Sequence, residues 1–114
     1  MINVIVNRNE SGLIHSFSMN GHAGFAKRGK DIVCAGASAV AFGAVNSVFK
    51  LTDVKPDVNQ GKDGFLRCTV PEDISPEQQE KVQLLLEGMI VALQTIELDY
   101  GKHIKITFKK QEVE

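Results

Sequence analysis

The chain has 114 residues, of which 43% are hydrophobic and 24% charged, with a formal net charge of -1. These values fit one globular domain over residues 1–114, with room for a core without staples but not for two domains. Near-neutral charge excludes a bulk electrostatic grip on nucleic acid, and only two cysteines, Cys34 and Cys68, exclude a disulfide framework. No apolar run approaches the ~20 residues of a membrane span. The opening Met1-Ile2-Asn3-Val4 lacks the basic and apolar regions of a signal peptide. Both points predict a cytoplasmic protein with reduced thiols.

Ile2, Val4 and Val6 alternate with polar residues, the pattern of a strand. Asn9-Glu10-Ser11-Gly12 is turn chemistry. Leu13, His15, Phe17 and Met19 then alternate and predict a second strand, paired to the first as a hairpin. Residues 21 to 30 show no apolar period and contain Gly21, Gly24 and Gly29. They read as a flexible loop. Asp31 is a good helix cap, and the helix is predicted from Ile32 to about Leu51. Its inner stripe is Val33, Val40, Ala44, Val48 and Leu51, flanked by Ala37 and Ala41. Gly36 and Gly43 each cost about 1 kcal/mol inside a helix. Such a cost suggests tight packing there, or the close approach of another backbone.

Val54, Pro56 and Val58 suggest a short third strand, and Pro56 places it at an edge. Phe65 to Val70 form a fourth strand, with Leu66, Cys68 and Val70 on one face. Ser75-Pro76-Glu77-Gln78 opens a long helix with a capping box. Val82, Leu85, Leu86, Met89, Leu93 and Ile96 make its apolar stripe, and Gly101 stops it. Ile104, Ile106 and Phe108 alternate in a last strand, followed by a frayed tail over residues 109–114. The order β-β-α-β-β-α-β predicts an α+β fold: a mostly antiparallel five-stranded sheet with two helices on one face.

The chemistry concentrates at His22 and Cys34, twelve positions apart across the loop. With Asp31 as the cap, Cys34 falls in the first turn of the helix. Unpaired amides and the helix dipole favour an anion there, and the thiolate is the active form of cysteine. The same amides are candidate donors to a tetrahedral oxyanion. His22 follows a strand, so a rigid element presents it near the thiol as an acid or base. Asp31 either caps the helix or orients His22. Ser38 lies one turn beyond Cys34 on the same face. Cys68 reads as a core residue. His15 and His103 read as ordinary strand residues. His22, Cys34 and Asp31 match no zinc spacing, and neither a metal nor an organic cofactor is expected.

These segments resemble the bacterial family of ribosomal-processing cysteine proteases called Prp, over essentially the whole chain. The resemblance is carried by Gly21-His22-Ala23-Gly24, by Gly29-Lys30-Asp31-Ile32-Val33-Cys34-Ala35, and by Ser38. It implies a dyad with Cys34 as nucleophile and His22 as acid and base, with Asp31 and Ser38 near the site. It also implies removal of a short N-terminal extension from the precursor of large-subunit ribosomal protein L-twenty-seven, with the cut after a phenylalanine. It further implies a homodimer, and a loop between His22 and Cys34 that moves when substrate binds. Composition and spacing alone reach only a thiol nucleophile with a histidine partner. They leave open a non-catalytic ribosome-assembly factor, a redox-sensing thiol protein that pairs Cys34 with Cys68, and a general peptidase.

Overall fold

The computed structural model describes residues 1–110. Its elements are β1 (Ile2–Arg8), β2 (Ile14–Asn20), α1 (Ile32–Thr52), β3 (Asp57–Gln60), β4 (Leu66–Thr69), α2 (Pro76–Tyr100) and β5 (Ile104–Lys110). Order and number agree with the sequence expectation. The strands form one sheet in the order β3-β4-β2-β1-β5. Pairings are antiparallel except for β5, which runs parallel to β1. A parallel neighbour requires a crossover, and the 25 residues of α2 supply it. Edge strand β3 begins directly after Pro56, which has no N–H to give to a ladder.

Ile2, Val4 and Val6 of β1 lie opposite Ile104, Ile106 and Phe108 of β5. Phe17, Met19, Leu66 and Cys68 extend the same buried surface. Val33, Ala37, Ala41, Val45 and Val48 of α1 close over it, with Val82, Leu86, Met89 and Leu93 of α2. Burying each large aliphatic side chain here is worth about 1.5–3 kcal/mol. The alternate residues Asn3, Asn7 and Ser18 point to the other side of the sheet, which no helix among the described residues covers. Midway along α2, Arg8 pairs with both Glu87 oxygens at 2.8 and 3.0 Å and lies 5.5 Å above the Phe108 ring.

Several expectations shift in detail. The inner stripe of α1 runs through Val45 and Thr52, while Leu51 is 68% exposed and Val40 and Ala44 are half-buried. The small residues early in α1 set its phase by bringing the helix close to its neighbours. A Cβ on Gly36 would sit 3.6 Å from Ile96 of α2, an ordinary contact, and Gly43 faces open space, so packing requires neither glycine. In β2 the inward residue is Ile14, not His15. The pairing jumps from Asn7–Ser16 to Arg8–Ile14, a bulge that flips the face. Gln83 of α2 seals this bulge by accepting from Ile14 N at 2.7 Å and donating to Ile14 O at 2.9 Å. Gly101 ends α2 in a right-handed conformation (φ -60°), where a Cβ would lie 3.0 Å from the Glu97 carbonyl. Lys109 and Lys110 pair with Asn7 and Arg8 rather than fraying, and the rest of the expected frayed tail lies outside the described residues. Finally, α1 does contain a window of mean hydropathy 1.8, apolar enough to cross a membrane by length and composition. Its alanines and valines instead form one layer of this core.

Candidate active site

Three local structures converge at the N-terminal end of α1. The first is the exit from β2. Gly21 has φ +91°, and a Cβ there would run into the backbone carbonyl of Met1. Only glycine lets the chain pass so close to β1 and turn. His22 follows it, exposed, and Ala23 follows His22, buried.

The second is the helix cap. Asp31 Oδ1 accepts from Val33 N at 3.0 Å and Cys34 N at 3.1 Å, as the sequence predicts for an N-cap. Oδ2 also reaches back into the loop and accepts from Phe25 N at 2.9 Å and Ala26 N at 3.1 Å. Burial works against the Asp31 charge, but the four N–H donors outweigh it and hold the carboxyl below the usual carboxylate range. Among the described residues no hydrogen bond joins Asp31 to His22, so Asp31 is a cap and loop tie. The cap also uses up amides expected to be free. Val33 and Cys34 donate to the side chain, and Ala35 N donates to Asp31 O at 3.0 Å.

The third is the anchoring of residues 23–25. Ala23 N donates to Cys34 Sγ at 3.2 Å. The carbonyl of the same residue accepts from His103 Nδ1 at 2.9 Å, which fixes the proton of that imidazole on Nδ1. Phe25 stands edge-on to both Tyr100 and His103, with ring centroids at 5.4 and 5.3 Å. The loop is therefore pinned on the C-terminal end of α2. His103 lies in the turn before β5, not within a strand, and its role here has no signal in the sequence. It meets Ala23 from 80 positions away.

Cys34 is half-buried and reduced. The imidazole of His22 shares its cavity, but among the described residues no hydrogen bond joins it to Sγ. His22 Nε2 instead faces Asp63 Oδ1 at 3.4 Å. The cavity measures about 570 Å³, a size that suits a peptide segment. It is lined by His22, Cys34, Asp31 and Ser38, by Gly24 and Gly29 of the loop, and by the apolar Ile2, Met19 and Ile32. Arg28 and Lys30 add positive charge to its rim. No group of three potential metal ligands occurs among the described residues. Cys68 is walled into the core, where burial and Asp57 push its thiol up to about 11. That removes it as a ready resolving thiol.

Comparison with known proteins bears on the same residues. The family model for cysteine protease Prp matches residues 1–105. A ribosomal processing cysteine protease Prp from Bacillus subtilis is 47% identical over 108 residues, covering 94% of this chain and 96% of the relative. One from Staphylococcus aureus is 40% identical over 109 residues, covering 96% and 100%. The S. aureus protease in complex with a covalently linked product peptide superposes with a TM-score of 0.87 at 40% identity, covering 96% of this chain and 100% of that one. The same protease in complex with a substrate peptide gives 0.82 at 38% identity, with the same coverage. Sequence and fold agree: the chain belongs to the Prp family of ribosomal-processing cysteine proteases.

Proposed function

We propose that Cys34 and His22 are the catalytic dyad, and that the substrate is the N-terminal extension of the ribosomal protein L-twenty-seven precursor, cut in the cytoplasm. The observation that carries this reading is the Ala23 N–H aimed at Cys34 Sγ inside a cavity that also holds His22. The thiolate attacks the scissile carbonyl, and the oxygen takes up the negative charge. Ala23 N–H lies beside the sulfur and is the donor best placed to meet that oxygen, because the N–H groups of Val33, Cys34 and Ala35 are already engaged. As the C–N bond breaks, the His22 imidazolium protonates the leaving amine and a thioester remains on Cys34. His22 then takes a proton from water, whose oxygen displaces the thiolate. The covalently linked product peptide of the S. aureus relative supports a covalent step of this kind. Ser38 lines the cavity one turn further on, where it meets the bound peptide. Gly24 and Gly29 let the loop fold over the substrate and exclude water.

The functional unit is a homodimer. On α2, Leu84, Val91 and Leu98 are 75%, 63% and 86% exposed at seven-residue intervals, with Gly88 and Thr95 between them. An antiparallel second copy centred on Val91 sets Leu84 against Leu98. It also brings Glu80 to Lys102 at each end of the stripe, a pair of opposite charges.

Mass spectrometry of the precursor after incubation with the wild type and with Cys34→Ala tests the dyad. A shortened product is expected only with the wild type, and undiminished turnover by Cys34→Ala overturns the mechanism. His22→Ala is expected to lose about 100-fold or more in rate.

A further inference from the structure

A dyad histidine works best when something fixes which of its nitrogens carries the proton. Asp31 is the acid nearest to Cys34 in sequence, but its two oxygens are filled by four backbone amides. The carboxylate that meets the His22 ring is Asp63, 41 positions away in the turn between β3 and β4. That turn is held in place by its backbone. Gly21 N donates to Asp63 O at 3.0 Å, and a Cβ on Gly64 would lie 3.1 Å from Gly21 O. Asp63 itself has φ +59° and Gly64 φ +71°, so the turn presents its edge to the exit of β2. The β3–β4 hairpin is thus stapled to the residue immediately before His22.

We infer that Asp63 is a positioning residue for His22. This rests on the dyad reading above. The Asp63 carboxylate accepts the Nε2–H of His22, so that Nδ1 is the nitrogen that exchanges a proton with the Cys34 sulfur and the leaving amine. A neutral imidazole has one proton and two nitrogens, and an acceptor on one side decides where the proton rests. When the imidazolium forms, the same carboxylate lies against its charge. Asp63 meets the His22 ring from outside the cavity lining, and the charged side chains that do line the cavity are Arg28, Lys30 and Asp31. Two are cations that cannot accept a proton, and the third is fully engaged. At 3.4 Å, with both side chains exposed, the contact is loose in the open site. A bound peptide that excludes water tightens it.

Asp63→Asn tests this with little damage to the turn, because asparagine tolerates positive φ well. The expected outcome is a loss in kcat of about tenfold, far less than for a buried triad aspartate because the pair is exposed. KM for the precursor peptide should change by less than about twofold, and Asp63→Glu should recover most of the rate. Nitrogen NMR of the His22 ring supplies a readout that a merely structural role would not move. The neutral ring should carry its proton on Nε2 in the wild type and lose that bias in Asp63→Asn. An identical ring pattern in both proteins, or a loss confined to KM, overturns the inference. A wild type that leaves the precursor intact overturns the cleavage reading instead, and the ring nitrogens still decide the role of Asp63.

Discussion

Asp31 serves both the helix and the loop with two oxygens, and the chemistry of a single residue couples them. Its cap was legible in the sequence, because an aspartate before an apolar helical period has few other uses. Its tie to Phe25 and Ala26 was not, because an amide five or six positions back carries no signature. The carboxyl is held below its usual range, so it stabilises the fold fully above the ordinary carboxylate value near pH 4. That contribution is lost as pH falls further, through the depressed native value. Asp31→Asn should therefore flatten the acid limb of a Tm–pH curve while leaving a capped helix at neutral pH, as differential scanning calorimetry would show. The two cysteines diverge for an equally local reason. Iodoacetamide on the native protein should label Cys34 and leave Cys68, whose thiol is raised to about 11, unmodified by mass spectrometry.

Elements explain where a periodic reading goes astray. The alternation in β2 set Leu13 and His15 in one row with Phe17 and Met19. One bulge reverses the phase and puts Ile14 there, and a bulge is a register event that one strand cannot announce. Gln83 completes that junction from the buried face of α2, at a position outside the apolar stripe read from the sequence. Replacing it by methionine keeps the volume but strands the N–H and C=O of Ile14. We expect a loss of about 3 kcal/mol in urea unfolding, since each buried unpaired group costs about 1–3 kcal/mol. The loop shows the same limit from the other side. Its glycines marked it as mobile, yet Phe25 is fixed by Tyr100 and His103 from the distant end of α2. Phe25→Ala should speed amide hydrogen exchange across residues 24–30 without unfolding α1.

At the scale of the molecule, most of the architecture follows from the order of strands and helices. Seven elements with short links leave few sheet arrangements, and the parallel pairing of β1 and β5 is the part that needed the structure. The site was less legible than the fold. His22, Cys34 and Asp31 lie within one segment, so spacing reveals them, but Asp63 and His103 arrive by long-range folding alone. Among the described residues nothing covers the exposed stripe Leu84, Val91 and Leu98 on α2, and the homodimer proposed above would bury it. Val91→Lys should convert the protein to a monomer by light scattering after size exclusion, with the fold intact by circular dichroism. A dimer unchanged by that lysine would place the contact elsewhere.

The edge-on packing of Phe25 against Tyr100 has a practical consequence. The chain contains no tryptophan and one tyrosine. Excited where phenylalanine does not absorb, that tyrosine is the one emitter, and it touches the loop proposed above to move when a peptide binds, with the His103 ring close by. Ultraviolet emission from the unlabelled protein therefore carries a signal from one place only. Mixed rapidly with an uncleavable peptide, the protein should report the opening and reclosing of its own entrance in real time, with no dye attached.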